Sequence, residues 1–353
     1  QILNSVGHIY LKLIALMGEL EQYLEECTDP EIRKEVLDFY FQVRMFVNIY
    51  ERVDENYLIY SELDGKGHFW IRLFCVNPSA CLQEFLEKGN SAVFFSATLL
   101  PIHYYKNLLS TSKEDYAVYA KSPFDVRRRL LLVGNDVSSK YTSRGEEMYR
   151  RYARYLLCMV RAKAGNYMAF FPSYRFMEEV YEAFEILLAE QRIAGELEEI
   201  DYIQIDCVMQ SQHMTEEARE IFLENFEEER EGSLIGFCVM GGIFSEGIDL
   251  SRDRLIGAAI VGTGLPQVCR ERELLKDYFQ KQGVRGFDYA YLYPGMNKVL
   301  QSAGRVIRTD RDCGVILLLD ERFRDYRYQE IFPREWKDYG TCNADNVADK
   351  MET

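Results

Sequence analysis

Gln301-Ser302-Ala303-Gly304-Arg305-Val306-Ile307-Arg308, followed after a short polar stretch by the apolar run Val315-Ile316-Leu317-Leu318-Leu319, decides how this chain is read. The spacing predicts two arginines on one face of a helix. The apolar run predicts a buried strand of a parallel sheet. A guanidinium is planar, permanently charged and able to grip phosphate through two nitrogens at once. Set before a buried strand of an α/β domain, such a pair is suited to reach a nucleotide phosphate. Arg-x-x-Arg alone also describes any solvated basic helix end, so the surrounding chain has to choose between the two.

Working outward, strands and helices alternate from about residue 117 onward. Candidate strands lie at 167–171, 202–205, 234–239, 255–261, 289–293 and 315–319. Between them, Met177, Val180, Tyr181, Phe184, Leu187 and Leu188 form an apolar stripe, with Glu178, Glu179, Glu182 and Glu185 on the other face. This alternation predicts a mostly parallel sheet with helices on both faces. Upstream, the apolar spacing predicts a helix over 1–26. Thr28-Asp29-Pro30-Glu31 then stops it and starts a second one reaching Tyr50, and the two are expected to form an antiparallel pair. Residues 57–60 and 69–76, rich in β-branched and aromatic types around Asp64-Gly65-Lys66-Gly67, predict a hairpin. Residues 78–86 read as a helix and Ala92-Val93-Phe94-Phe95 as a short buried strand. The polar tail from Thr341 is expected to fray.

Composition narrows the function. The net charge of −15 resides in residues 178–231, where 18 acidic residues face only Arg192, Arg219 and Arg230; the rest of the chain is balanced. Arginines cluster at 127–129, 144–161 and 305–311, so an acidic outer surface can coexist with a basic working one. No apolar run approaches the roughly 20 residues needed to cross a membrane, and no signal-peptide pattern opens the chain. The nine cysteines are odd in number and scattered, with no C-x-x-C pair, and the four histidines are far apart. A reduced, cytoplasmic protein without a metal centre of its own is expected. Gln1 is not an initiator, so residue 1 is expected to be an internal point of a longer protein.

In a parallel sheet, ligands gather at the loops beyond the strand ends. Four segments carry the chemistry. Ser96-Ala97-Thr98 places hydroxyls after the 92–95 strand, as a cap or a relay. Pro172-Ser173-Tyr174 ends the 167–171 strand: Ser173 is placed to cap the next helix or hold a backbone phosphate, and Tyr174 to pack or to stack on a base. Gly241-Gly242-Ile243-Phe244-Ser245-Glu246-Gly247-Ile248-Asp249-Leu250 combines backbone freedom with two carboxylates suited to ribose hydroxyls, water or an arginine. The fourth is the opening segment, continuing through Asp310-Arg311-Asp312-Cys313-Gly314 and, past the strand, Asp320-Glu321-Arg322-Phe323.

Taken together and in this order, these segments resemble the XPD/DinG family of superfamily 2 DNA helicases. The matching pieces are FFSATL at 94–99, GNYMAFFPSY at 165–174, GGIFSEGIDL at 241–250 with Gly264-Leu265-Pro266, and QSAGRVIRTDRDCGVILLLDERF at 301–323. They correspond to that family's motifs III to VI and span about residues 70–330. The resemblance implies a RecA-like second helicase domain over 117–353. It further implies a helical arch segment over 1–55 and, over 56–116, a hairpin with the C-terminal remnant of a first RecA-like domain. It implies that Arg305 and Arg308 contact the ATP γ-phosphate as arginine fingers and that Gln301 orients that helix or the nucleotide. Gly242, Ser245, Glu246, Gly247 and Asp249 would couple nucleotide to the strand-binding surface. Ser96 and Thr98 would link hydrolysis to domain movement, and Ser173 and Tyr174 would lie near single-stranded DNA.

The departures are equally informative. Neither a G-x-x-x-x-G-K-[ST] phosphate loop nor an Asp-Glu-Ala-His box occurs in the 353 residues. The resemblance therefore implies that ATP and Mg²⁺ are bound jointly with a motor domain preceding this chain. It also implies that an iron–sulfur cluster, where the family has one, is held outside this segment. The expected activity is ATP-dependent translocation on single-stranded DNA with 5′ to 3′ unwinding in the whole protein, and none in this chain alone. Two other classes compete. A non-catalytic module binding nucleic acid or a partner fits the missing motifs. A dinucleotide-binding oxidoreductase has only Gly262-Thr263-Gly264 in its favour: Gln267 stands where the third fingerprint glycine belongs, and Asp288 is poorly placed for a ribose.

Overall fold

A computed structural model describes residues 1–198, 203–226, 230–244 and 254–352. Contacts divide the chain into two units, residues 1–94 with 105–116, and residues 95–104 with 117–353.

The first unit begins with strand β1 (Ile2–Leu3) and the helical pair α1 (His8–Glu26) and α2 (Pro30–Tyr50). Asp29 sets the start of α2: its carboxylate accepts from the amides of Glu31 and Ile32, and Pro30 supplies the pre-set first turn. The two helices run antiparallel as expected, with Tyr10 near the start of one 5.1 Å from Tyr50 at the end of the other. Strands β2 (Tyr57–Leu63) and β3 (Phe69–Cys75) form the hairpin. Asp64 closes its turn by accepting from the amides of Lys66 and His68, both at 2.8 Å. Helix α3 (Ser79–Leu86) follows. Residues 92–95 do not form the expected strand. They are irregular, with Val93 80% and Phe95 89% exposed, because no described strand offers them a ladder. The unit division then passes through α4 (Ile102–Leu109).

The second unit is a seven-stranded sheet, every pairing in it parallel. In chain order its strands are β4 (Arg129–Gly134), β5 (Gly165–Phe171), β6 (Ile205–Met209), β7 (Ser233–Val239), β8 (Gly257–Val261), β9 (Gly314–Leu319) and β10 (Gly340–Cys342), and in space they run β10-β4-β9-β8-β5-β7-β6. Side chains alternate across the pleat into two cores. Tyr167, Ala169 and Phe171 of β5 join Phe237 and Leu319 under α5 (Glu146–Ala162) and α6 (Tyr174–Glu198). Met168 and Phe170 join Ile260 and Leu318 on the opposite face. That face is covered by α7 (Glu216–Glu224) and, beyond α8 (Arg270–Lys281), by α9 (Tyr293–Ala303). Each of these fully buried large side chains contributes about 1.5–3 kcal/mol through the area it removes from water. Strands buried on both faces read as continuous apolar runs, which is why their sequence signal was strong.

Three further expectations change. Residues 289–293 are not a strand but the end of a π turn, Asp288–Leu292, running into α9. A short apolar run fits a buried helix as well as a buried strand, and Pro294 belongs to a helix's first turn. The strand expected at 202–205 instead starts at Ile205. The tail is ordered: Gly340–Cys342 adds β10 parallel to β4, and Val347, fully buried, opens α11 (Val347–Glu352) against α5. The remaining short helix, α10 (Tyr326–Gln329), follows β9. Among the described residues no helix is long and apolar enough to cross a membrane.

Candidate functional site

Because the sheet is parallel, it has one carboxyl edge and one amino edge, and the sequence-nominated residues divide between them. At the carboxyl edge, Ser173 caps α6, its hydroxyl accepting from the Phe176 amide at 3.3 Å. Tyr174 begins that helix, half-buried, and its hydroxyl accepts from Gln210 Nε2 at 2.9 Å. Gln210 is 3% exposed and ties three elements together: its Oε1 accepts from the Val239 amide at 2.9 Å, and its own amide donates to Phe237 O at 2.9 Å. Gly242 lies against it, a Cβ there falling 3.2 Å from Gln210 Nε2. The structure thus joins Ser173–Tyr174 to Gly242 through a residue that sequence reasoning missed. Its only signal was a polar residue closing the apolar strand β6. Ser245, Glu246, Gly247 and Asp249 lie outside the described residues.

The helix after β5 covers one face and the helices after β8 the other, so the crevice between these two strands is a topological switch point. It is lined by Gly262, whose φ of +80° only glycine adopts readily and whose Cβ would meet Ser139 Oγ at 2.6 Å. Ser139 belongs to a closed polar knot. Its amide and hydroxyl donate to Asp320 Oδ2 at 2.9 and 2.8 Å, and Arg322 Nε donates to Asp320 Oδ1 at 2.8 Å. Asp320 is fully buried. Burial pushes its carboxyl up, but the Arg322 hydrogen bonds and charge and the Ser139 amide outweigh that and hold it below the usual range. Gly262 therefore sits in a rigid polar corner while Gly264 packs on the Gly295 backbone, and the dinucleotide fingerprint is incomplete.

Ser96 and Thr98 are neighbours, Oγ to Oγ1 at 3.3 Å, with the Thr98 amide donating to Ser96 Oγ at 3.2 Å. They follow an irregular segment rather than a strand. Their stretch is anchored through His103, whose Nε2 lies 3.1 Å from Tyr293 Oη, and through Tyr104, whose ring is 5.1 Å from Tyr289 and 5.0 Å from Tyr293. Tyr293 opens α9 at the carboxyl edge. Lys298, in the middle of α9, packs beside Gly241, and burial with the neighbouring Arg272 lowers its ammonium's pKa.

The arginines are elsewhere. Helix α9 ends at Ala303, and Arg305 and Arg308 occupy the loop before β9, not one helical face. Gly304 and the turn after it end the helix two residues before Arg305. Val306 packs against Gly314, which in turn lies against the backbone of Ile256, at the starts of β9 and β8, so this loop lies at the amino edge. A helix leading into a parallel strand must deliver its loop there. With Gln301 in the last turn of α9, the arginine loop is separated from Tyr293 by the length of the helix, about 16 Å at 1.5 Å per residue. Both arginines are half-buried. Asp312, 6% exposed, organises the loop by accepting from the amides of Arg308 and Thr309, each at 2.8 Å, and from Thr309 Oγ1 at 2.6 Å. No group of three or more His, Cys, Asp or Glu among the described residues is placed to hold a metal ion.

A seven-stranded parallel sheet flanked by helices on both faces is a RecA-like α/β fold. The sequence profile of the helicase C-terminal domain matches residues 156–339, over half of the chain, and the chain belongs to that family, as the C-terminal part of an XPD/DinG-type helicase. It is 26% identical over 300 residues to the general transcription and DNA repair factor IIH helicase subunit XPD of Schizosaccharomyces pombe, covering 80% of this chain and 36% of that protein. It is 27% identical over 290 residues to a probable ATP-dependent helicase of Methanocaldococcus jannaschii, covering 78% and 40%. Among solved structures, apo XPD superimposes with a TM-score of 0.56 at 19% identity over 92% of this chain and 61% of that one. The S. tokodaii Xpd4 structure gives 0.55 at 15% identity, over 97% and 61%. The chain thus spans about two fifths of the length of these curated relatives.

Proposed function

We propose that this chain is the second motor domain, with flanking segments, of an ATP-dependent DNA helicase that translocates 5′ to 3′ on single-stranded DNA and unwinds duplex. It supplies the arginine-finger half of an ATP site whose phosphate loop and Mg²⁺ ligands belong to a preceding motor domain. The observation that carries the reading is the arginine loop itself. Two half-buried arginines lie at the amino edge in a loop ordered around one carboxylate, in a domain of helicase family. Arg305 and Arg308 contact the γ-phosphate, and charge that builds on it during transfer is where a positioned guanidinium acts. Gln301 orients the loop. Gly242 and its neighbours Ser245, Glu246, Gly247 and Asp249, with Ser96 and Thr98, couple the nucleotide to the strand-binding surface. Ser173 and Tyr174 contact the strand, Tyr174 by stacking. The chain works in the cytoplasm, and DNA repair is the setting named for the fission-yeast relative.

The test has two parts. The purified chain is expected to bind single-stranded oligonucleotide in fluorescence anisotropy, with affinity falling as salt rises, and to hydrolyse no ATP. Turnover by this chain alone, or no oligonucleotide binding at low salt, would overturn the reading.

A further inference from the structure

The arginine loop is held from two sides by residues to which neither the family match nor the fold gives a role. From within, Asp312 gathers the Arg308 amide, the Thr309 amide and the Thr309 hydroxyl on one buried carboxylate. From outside, Arg128, in the turn that leads into β4, donates through Nη1 to the Arg311 carbonyl at 2.9 Å and lies 3.5 Å from Cys313 Sγ. The two grips are adjacent because β4 and β9 start in register, Arg129 opposite Gly314. Arg128's neighbour Arg127 is engaged differently, in a bidentate pair with Asp125. We infer that Asp312 and Arg128 are positioning residues that fix the backbone from Arg308 to Arg311 and so aim the Arg308 side chain. This rests on the proposed function only for what the arginines do. The clamp itself is a statement about the loop.

A carboxylate accepting three hydrogen bonds has no slack: rotating it to release one donor loses the others. Burial raises the Asp312 carboxyl, and the bonds from Thr309 and the Arg308 amide, with the Arg308 charge, bring it below the ordinary range, so it stays ionised in this role. A hydrogen bond to a charged group holds its donor closed roughly ten- to a hundredfold better than solvent does. An arginine finger misaimed by a mobile loop loses transition-state contact while ground-state nucleotide binding changes little.

The experiment uses site-resolved amide exchange on this chain and steady-state ATP turnover in a polypeptide carrying both motor domains. Asp312→Ala is expected to speed exchange at Arg308 and Thr309 about tenfold or more, with β9 amides from Ile316 to Leu318 unchanged. Asp312→Asn, which keeps an acceptor oxygen, restores part of the protection. In the two-domain protein, Asp312→Ala and Arg128→Ala lower kcat with KM for ATP little changed, and Arg128→Lys, still able to donate to the Arg311 carbonyl, recovers activity. Unchanged exchange at Arg308 and Thr309 in Asp312→Ala overturns the clamp. So does unchanged kcat in both variants while Arg305→Ala and Arg308→Ala are crippled. If those arginine variants turn over normally, the arginine-finger role fails instead, and the exchange arm still decides the clamp.

Discussion

The two edges of the seven-stranded sheet are built on different principles. At the carboxyl edge, polar groups close on one another: Gln210 joins three elements, and Asp320, Ser139 and Arg322 form a buried knot beside Gly262. At the amino edge, a loop carrying three arginines between residues 305 and 311 depends on one carboxylate, Asp312, and one outside grip, Arg128. A platform that receives a flexible polymer gains from fixed geometry, whereas a group that must meet a transferring phosphate needs reach as well as aim. The difference predicts that lesions at the two edges separate strand binding from ATP turnover.

The largest effect expected is at the amino edge. Arg305→Ala or Arg308→Ala, in a polypeptide with both motor domains, should cost on the order of 10³-fold in ATP turnover, by the behaviour of arginine fingers generally. Single-stranded DNA affinity should fall far less. A double variant with normal turnover breaks the comparison outright.

Next is the carboxyl-edge knot. Asp320→Ala leaves Arg322 buried without its charge partner, and losses of about 3–5 kcal/mol are typical when one member of such a pair is removed. Urea unfolding of the chain measures it. The same carboxylate sets an acid limit. Its folded pKa lies below the ordinary value of 3.8, so its stabilisation is complete above that value and lost as pH falls through the folded one. In Asp320→Ala that part of the acid dependence should be missing from the unfolding curve measured against pH.

The sequence carried the sheet well and its edges poorly, for physical reasons. Strands β5, β7, β8 and β9 are buried on both faces, so their apolar runs stand out. The same texture misled at Tyr289–Tyr293, where aromatic residues pack a π turn against Tyr104 and Phe279. The edge strand β10 is three residues with one fully buried side chain, too short for any periodicity to mark. Leu130 to Val133 went unremarked as a strand although β4 is central to the arginine loop's support. Ser173's cap was legible because capping is local. Gln210 and Arg128 act across 29 and 183 residues of chain, and no local pattern encodes that. The helix predicted to carry both arginines ends at Ala303, since its stop lay in a turn beginning at Gly304 that the i, i+3 spacing hid.

A smaller effect sharpens the binding side of the comparison. Tyr174→Ala should weaken single-stranded DNA binding by about 1–3 kcal/mol, the usual worth of one stacked base, leaving the salt slope unchanged because no phosphate contact is lost. Tyr174→Phe keeps the ring and removes only the hydroxyl bonded to Gln210. If Phe behaves like Ala, the tyrosine serves Gln210 and the fold rather than the strand.

The smallest effect is expected at Gly241. Its φ of +71° lies where an L side chain costs about 1–2 kcal/mol. A Cβ there would meet Lys298 Cε at 3.0 Å, but that atom ends a flexible chain and can give way. Gly241→Ala should therefore cost little more than the backbone term. At Gly262, with a similar φ of +80°, the Cβ would meet Ser139 Oγ at 2.6 Å, an atom fixed by Asp320 and Arg322. The same substitution there must disturb the knot and should cost visibly more in urea unfolding. Equal losses at the two glycines would mean that the knot yields as readily as a lysine side chain, and the carboxyl edge would then not be the rigid platform its hydrogen bonds describe.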